Sequence, residues 1–230
     1  MIVNPDLKIL LGINSLVSAS PIAAKLVLFA SYNPLIRGFP VFFSLAALWF
    51  KGDDRKRARI AIGLAGVCLA LAASVSTQMI FHWHLHPSID PSIHLKGGEF
   101  GILASGYDRQ YSFPSDTTNL FFALSTVVLL ESRTLGCISL VWCLLESILR
   151  IALGCHYPSD ILGGAVLGMG CVLLISRLRP LRTWFEGVLE HSGPRIYLIH
   201  AVFAFFLADA YNIFPGIIGV LKIVLPTHPR

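Results

Sequence analysis

The chain has 230 residues, of which 55% are hydrophobic and only 13% are charged, and its mean hydropathy is +0.70. This composition excludes an ordinary soluble domain and predicts an integral membrane protein. The net charge of +5 comes from basic connectors between apolar runs, which suit anionic lipid headgroups. The sequence contains no basic patch interleaved with aromatic residues, so we do not expect nucleic-acid binding.

Seven apolar runs predict membrane-spanning helices, because a helix needs about 20 mostly apolar residues to cross the hydrocarbon. In chain order they cover residues 7–31, 35–50, 59–81, 115–130, 135–153, 160–176 and 195–214. They predict an all-α fold, a polytopic transmembrane helix bundle with a six-span core and a seventh C-terminal span. We expect a membrane domain over residues 1–180 and a C-terminal extension over residues 181–230.

Basic residues gather in three connectors, and positively charged connectors stay on the cytoplasmic side of a membrane. The connectors are KGDDRKRAR at 51–59, the turn at Arg133, and the segment with Arg177, Arg179 and Arg182. Alternation of the predicted spans brings all three to one side. The sequence therefore predicts a cytoplasmic amino terminus, with residues 82–113 and the turn CHYPS facing outwards.

The stretch GCHYPSDILGG at 154–164 puts His156 four residues before Asp160, between two apolar runs. Pro158 favours the first turn of a helix, so His156 is expected in a tight turn just ahead of that helix. There the carboxylate can accept a hydrogen bond from one imidazole nitrogen and leave the other as a nucleophile. Arg150, near the end of the preceding run, could hold a phosphate with its planar fork of donors.

The stretch YSFPSDTTN at 111–119 opens the fourth predicted span at the same boundary. Pro114 and Ser115 are expected to start a helix, whose unpaired N–H groups would lie near the hydroxyls of Ser115 and Thr117. Together with Arg150 and His156, this helix start predicts a phosphoryl-transfer site. We expect no metal or other cofactor, since these donors can neutralise the phosphate charge.

Each of these residues also has a structural interpretation. Arg150 could form an intramembrane ion pair with Glu146, four residues earlier on the same helix. Ser115 and Thr117 could be helix caps, and Asp116 could simply favour the positive end of the helix dipole. The His156–Asp160 spacing could likewise be a capping turn.

Outside these clusters, the loop FHWHLHPSIDP at 81–91 carries three alternating histidines. Zinc binding by them is the less favoured hypothesis, since histidines in an interfacial loop more often meet headgroups or water. In the last run, His200 and Asp209 are expected to pack against other helices. The five cysteines show no metal-ligand spacing and are also expected to be packing residues.

The motifs resemble those of the type 2 phosphatidic acid phosphatase (PAP2) superfamily, the membrane-embedded lipid phosphatases. That family carries a Lys…Arg-Pro stretch, then Pro-Ser-Gly-His, then Ser-Arg-x5-His-x3-Asp. Leu149, Arg150, five residues, His156, three residues and Asp160 match the third motif, with only the leading serine replaced. The sequence PSDT at 114–117 matches the second and is similar to the undecaprenyl-diphosphatase branch. The resemblance covers about residues 10–178, which makes the domain over residues 1–180 PAP2-like.

Two motifs depart from the family's pattern. Thr117 stands where the family has the histidine that protonates the leaving oxygen, and a hydroxyl cannot act as an acid near neutral pH. In the first motif, His86-Pro87 replaces Arg-Pro and the lysine position falls on Met79. Two interpretations stay open. The substrate could be a lipid diphosphate, whose leaving group needs little help from an acid. Alternatively, another side chain supplies the proton, and the candidates are His82, His84, His86 and Asp116.

The resemblance implies an integral membrane enzyme that hydrolyses a lipid phosphate or diphosphate, with a polyprenyl diphosphate as the expected substrate. It implies that His156 attacks phosphorus to form a phosphohistidine, that Asp160 orients it, and that Arg150 holds the anion. Substrate binding is expected from Pro114, Ser115, Asp116, Thr117 and His86. The site would face the periplasmic or extracytoplasmic side of the inner (plasma) membrane. The alternatives are a phosphotransferase acting between lipids or glycolipids, and a non-catalytic lipid-binding protein.

Overall fold

The computed structural model describes residues 4–96 and 111–211, whose regular structure is helical apart from one isolated bridge between Leu85 and Tyr111. The helices are α1 (Pro5–Ser18), α2 (Pro21–Tyr32), α3 (Pro34–Lys51), α4 (Asp54–Phe81), α5 (Asp116–Glu131), α6 (Arg133–Ala152), α7 (Pro158–Ser176), α8 (Arg179–Glu190) and α9 (Ile196–Tyr211). Five helical stretches in the described part are long and apolar enough to cross a membrane. The predicted all-α polytopic bundle is therefore confirmed.

The first predicted span, residues 7–31, is wrong because the chain breaks there into two helices. α1 ends at Ser18, and the Ser20 hydroxyl caps α2 by accepting the Ala23 N–H at 3.3 Å. Pro21 occupies the first position of α2, where its missing N–H removes no helical hydrogen bond. The 14 residues of α1 span about 21 Å, too short to cross about 30 Å of hydrocarbon.

α1 lies against the end of the bundle that contains the α6–α7 turn, here called the His156 end. The Asn14 side chain donates to the Ala152 carbonyl at 2.9 Å, and the Asp6 carboxylate accepts the Ser159 N–H at 3.2 Å. Leu10 packs into the apolar cluster at the same place. α1 is thus at the opposite end from the 51–59 connector, so the prediction that the amino terminus lies on the same side as that connector is wrong.

α2 and α3 follow one another as a helical stretch, Pro21–Lys51, that is long enough for one crossing but too short for two. α2 starts beside the His156 end, where Ala24 and Leu28 pack against Leu153 and Cys155. α3 ends beside the start of α4, where Arg57 donates to the Trp49 carbonyl at 3.2 Å. The first two predicted spans therefore become one.

α4, α5, α6 and α7 pack closely and form the centre of the bundle. α5 runs antiparallel to α4 over its whole length. At one end the Asp116 carboxylate accepts the Ser74 hydroxyl at 2.6 Å, and at the other Arg59 grips Glu131 with two bonds of 2.8 Å. α4 and α5 are therefore held together at both ends of α5.

The basic connectors lie at the end of the bundle opposite His156, here called the basic end. Arg59, Glu131, Ser176 and Arg182 line one cavity of about 160 Å³ there. These residues lie in or next to the three predicted connectors, so the prediction that the connectors share one side is confirmed.

α9 crosses back along α3 from the basic end. Near its start, the His200 Nδ1 accepts the indole N–H of Trp49 at 3.1 Å, and at its end the Tyr211 carbonyl accepts from Arg37 at 3.4 Å. The last predicted span, 195–214, is confirmed over residues 195–211, and residues 212–214 lie outside the described part. The expectation that His200 packs against another helix is also confirmed.

Candidate active site

The turn between α6 and α7 presents the third motif. Arg150 lies in the last turn of α6, and its carbonyl accepts the Cys155 N–H at 3.0 Å. Gly154 has a φ of +69°, a left-handed conformation that glycine adopts without strain. The Asp160 Oδ2 accepts the Tyr157 N–H at 2.8 Å and lies 3.6 Å from the His156 Nδ1. The capping interpretation of Asp160 is therefore confirmed, and its role in orienting the imidazole stays a prediction that the short separation of the two groups allows.

Asp160 lies between two imidazole rings. Its Oδ2 faces the His156 Nδ1, and its Oδ1 lies 3.5 Å from the Nδ1 of His84. The carboxylate is fully buried, whereas the His84 side chain keeps 29% of its surface exposed. The sequence predicted His84 only as one of several possible acids, without a position. The structure brings it to the far side of the orienting carboxylate.

The segment after α4 reaches the site through contacts with the residues before α5. Both His82 and His84 have positive φ angles, +45° and +55°, so the chain turns sharply as α4 ends. The Ser112 N–H then donates to the His84 carbonyl at 2.8 Å, next to the Leu85–Tyr111 bridge. This pairing joins the first motif to the second and sets where residues 84–86 lie.

His86 lies beside the expected nucleophile. Its ring centroid is 5.0 Å from that of His156, and its Nδ1 is 2.6 Å from the carbonyl oxygen of Cys155. A carbonyl only accepts hydrogen bonds, so Nδ1 carries the proton of the neutral ring. Burial, and then the neighbouring His156, lower the pKa of His86 to about 3. His86 therefore replaces the family's arginine without its permanent charge.

Arg150 and Thr117 meet inside the bundle. The Arg150 guanidinium donates to the Thr117 hydroxyl at 3.0 Å, and both side chains are buried. Glu146, one turn earlier on α6, lines the same small cavity as Arg150 and Thr117. Thr117 thus holds the guanidinium that the sequence predicts to bind the phosphate, which is a positioning role open to a hydroxyl.

The start of α5 is bound to the start of α7. The Ser115 N–H donates to the Asp160 carbonyl at 3.1 Å, and the Ser115 hydroxyl caps α5 by accepting the Thr118 N–H at 3.4 Å. Gly164 allows this approach, because a Cβ there would lie 2.6 Å from the Ser115 carbonyl oxygen. The second and third motifs therefore share one rigid junction.

Pro114 and Asp116 are engaged with α4. The Asp116 Oδ1 accepts from Ser74 at 2.6 Å and from Gln78 at 2.9 Å, and the Pro114 carbonyl accepts from Gln78 at 2.7 Å. These contacts give both residues a part in joining α4 to α5. The substrate-binding role that the sequence predicted for Pro114 and Asp116 stays a prediction beside these contacts.

Among residues 4–96 and 111–211, no group of three or more His, Cys, Asp or Glu side chains is arranged to hold a metal ion. His82 instead lies against Tyr111, with ring centroids 4.7 Å apart. His82 thus has surroundings of its own, whereas His84 and His86 both lie beside the His156–Asp160 pair.

Fold and site together define a polytopic membrane protein in which a His–Asp pair, a buried arginine and a helix start meet at one end of the bundle. The family model of the PAP2 superfamily matches residues 64–184. The chain belongs to the PAP2 superfamily. This match runs from within α4 to within α8 and includes the second and third motifs, and it begins later than the 10–178 expected from the motifs.

The chain is also similar to individual bacterial proteins. Undecaprenyl-diphosphatase BcrC of Bacillus subtilis (strain 168) is 28% identical over 138 residues, 60% of this chain and 66% of that protein. YbjG of Escherichia coli (strain K12), named as a candidate undecaprenyl-diphosphatase, is 30% identical over 174 residues, 75% of this chain and 82% of that protein. Bacitracin transport permease protein BcrC of Bacillus licheniformis is 36% identical over 79 residues, 34% and 39% of the two chains.

The matches span less than two thirds of the length of the two Bacillus relatives. No solved structure matches the chain.

Proposed function

We propose that the chain is a membrane lipid phosphatase that hydrolyses a polyprenyl diphosphate or phosphate through a phosphohistidine intermediate. The observation that carries the proposal is the meeting of His156, Asp160 and Arg150 at one end of the bundle. The names of BcrC from B. subtilis and of YbjG support undecaprenyl diphosphate as the substrate class.

In the first step, the Nε2 of His156 attacks the terminal phosphorus, and the bond from phosphorus to the lipid-bearing oxygen breaks. Asp160 accepts the Nδ1–H of His156, which leaves the lone pair on Nε2 and stabilises the imidazolium that forms. The present separation of 3.6 Å would shorten by about 0.6 Å on substrate binding, as catalytic hydrogen bonds often do. In the second step, water attacks the phosphohistidine, inorganic phosphate leaves and His156 is regenerated.

Arg150 and the start of α5 hold the non-bridging phosphate oxygens. A guanidinium binds two such oxygens in its plane, and a helix start adds backbone N–H donors. Thr117 supports Arg150 through their 3.0 Å bond, and Ser115 fixes the helix start to α7. His86 completes the phosphate-facing groups.

A diphosphate substrate reduces the need for an acid. Its leaving group is a lipid phosphate, whose oxygen is far less basic than the alkoxide released from a monophosphate, so protonation contributes less to the rate. We therefore expect faster turnover of the diphosphate. Where a proton is needed, we favour His84 and His86 among the four named residues, because His84 lies beside Asp160 and His86 beside His156.

The site faces the extracytoplasmic side of the plasma (inner) membrane in this proposal. Support comes from the basic end, since positively charged connectors stay in the cytoplasm and His156 lies at the other end.

The division into a membrane domain over 1–180 and an extension over 181–230 also stays a proposal.

The test uses the full chain purified in detergent. Phosphate release is measured from a lipid diphosphate and a lipid monophosphate, with and without chelator, for the wild type, His156→Ala and the control His191→Ala. His191 is exposed and lies just after α8. We expect release by the wild type and the control, none by His156→Ala, and no effect of the chelator.

Two other results would redirect the assignment. Transfer of the phosphoryl group to a second lipid with little free phosphate would indicate a phosphotransferase. Binding of lipid diphosphate without turnover by the wild type would indicate a non-catalytic lipid-binding protein.

A further inference from the structure

His86 occupies a position where a permanent cation is expected but a titratable ring is present. The ring is buried and close to the nucleophile, 5.0 Å between ring centroids. Its Nδ1 is held by the Cys155 carbonyl at 2.6 Å, so the opposite nitrogen is the one that can take up a proton.

We propose that His86 is a phosphate ligand that becomes charged only when the phosphate of the substrate is bound, so that each binding event takes up a proton. This inference rests on the proposed function, because it assumes that the phosphate lies at the nucleophile. Within the described residues, the site would then combine a fixed cation, Arg150, with a conditional cation, His86.

The described groups around His86 explain why its charge is conditional. His156 lies next to it in the α6–α7 turn, Arg150 faces it from α6, and Asp160 faces it from α7. Burial opposes a positive charge on the ring, and so do His156 and Arg150, whereas the hydrogen bond to the Cys155 carbonyl and the charge of Asp160 favour it. Burial and the two basic neighbours outweigh the favourable contributions, so the pKa of the resting ring lies at about 3.

A bound phosphate reverses this balance. It adds up to two negative charges beside the ring and accepts a hydrogen bond from the second nitrogen, and both effects raise the pKa of His86. The group is then neutral in the free protein and protonated in the complex over a range of pH. The Cys155 carbonyl keeps the ring orientation through both states.

The sign of the pH dependence follows from this linkage. The pKa of His86 is higher in the complex, so its contribution to binding is largest at low pH and is lost as the pH rises towards the pKa of the complex. Between about 3 and that upper pKa, anion affinity should fall about tenfold per pH unit. Binding would tighten as the medium on the site's side becomes acidic, and loss of the proton at higher pH would help product phosphate to leave.

Inorganic sulfate is the probe, since it resembles phosphate and its own charge does not change near neutral pH. The full chain in detergent is titrated with sulfate in a calorimeter, in two buffers of different ionisation enthalpy and at several pH values. The wild type is compared with His86→Arg, His86→Gln and the control His82→Gln. His82 shares the loop but lies against Tyr111.

We expect sulfate binding to take up about one proton more in the wild type and in His82→Gln than in either His86 variant. His86→Arg should bind with a flatter pH profile than the wild type. His86→Gln should bind sulfate weakly at every pH. This variant keeps a donor for the Cys155 carbonyl, so it serves as the test if arginine is too large for the site. Equal proton uptake and equal pH slopes in the wild type and His86→Gln would overturn the proposal.

The test is independent of turnover. If the wild type hydrolyses lipid diphosphate but shows no additional proton uptake, only this inference fails. If sulfate binding shows the uptake but no lipid is hydrolysed, the proposed function fails and the anion site stands.

Discussion

Gly164 lies where the second and third motifs touch, so replacing it with alanine tests whether their contact matters. A Cβ at Gly164 would lie 2.6 Å from the backbone carbonyl oxygen of Ser115 and 3.1 Å from the backbone nitrogen of Asn119. These neighbours belong to the backbone of α5, so no flexible side chain can move aside. We expect Gly164→Ala to push the starts of α5 and α7 apart.

The size of this effect follows from the distances. Moving the contact from 2.6 Å to between 3.0 and 3.4 Å requires a shift of 0.4 to 0.8 Å. Overpacking of this kind destabilises a protein by about 1–3 kcal/mol. Misplacement of reacting groups by about 1 Å can reduce a rate 10²-fold, so we expect a loss in kcat on the order of tenfold.

Gly170→Ala is the matched control, because it lies on the same helix and a Cβ there meets nothing within 4 Å. Both substitutions gain the same helix propensity, about 0.5–1 kcal/mol, so their difference isolates the contact. Thermal unfolding in detergent and phosphate release from a lipid diphosphate are measured on both. At about 2–4 °C per kcal/mol, Gly164→Ala should unfold several degrees lower. Equal unfolding temperatures and equal kcat for the two variants would refute the reasoning.

Three further substitutions test individual side chains. Asp160→Asn should lower kcat by about 100-fold with little change in KM, because the carboxylate orients His156. Single-turnover kinetics measures this effect, and an unchanged rate would contradict the orienting role. Asp116→Ala should lower the free energy of unfolding by about 1.5–3 kcal/mol with KM unchanged, since the Ser74 hydroxyl loses its acceptor and Gln78 keeps only the Pro114 carbonyl. A raised KM at unchanged stability would instead make Asp116 a ligand. His84→Gln should lower kcat about tenfold while His82→Gln leaves it unchanged, as expected if His84 supports Asp160; equal rates for the pair would remove His84 from the site.

The local geometry of the third motif was predictable from its sequence. Pro158 at a helix start and Asp160 in the first helical turn dictate a short-range arrangement that includes His156. The break at Ser20-Pro21 carried an equally local signal. It was missed because apolar residues continue on both sides of the break, and hydropathy alone averages across it.

Non-local contacts account for what the sequence did not predict. His84 reaches Asp160 because the loop after α4 pairs with residues 111–112, and no spacing within one motif encodes that pairing. The direction of Asp116 depends on which face of α5 meets α4, which is a matter of helix rotation. Neighbouring helical residues point about 100° apart, so Thr117 meets Arg150 while Asp116 meets Ser74.

The central claim is that His156 takes up phosphorus covalently during turnover. The most direct measurement is rapid quenching of the full chain under alkaline conditions with a lipid diphosphate, followed by mass spectrometry of its peptides. The account predicts one phosphoryl group on His156, formed and consumed at rates consistent with turnover and absent in His156→Ala. Steady phosphate release with no phosphorylated His156 at any time, or undiminished release by His156→Ala, would contradict it.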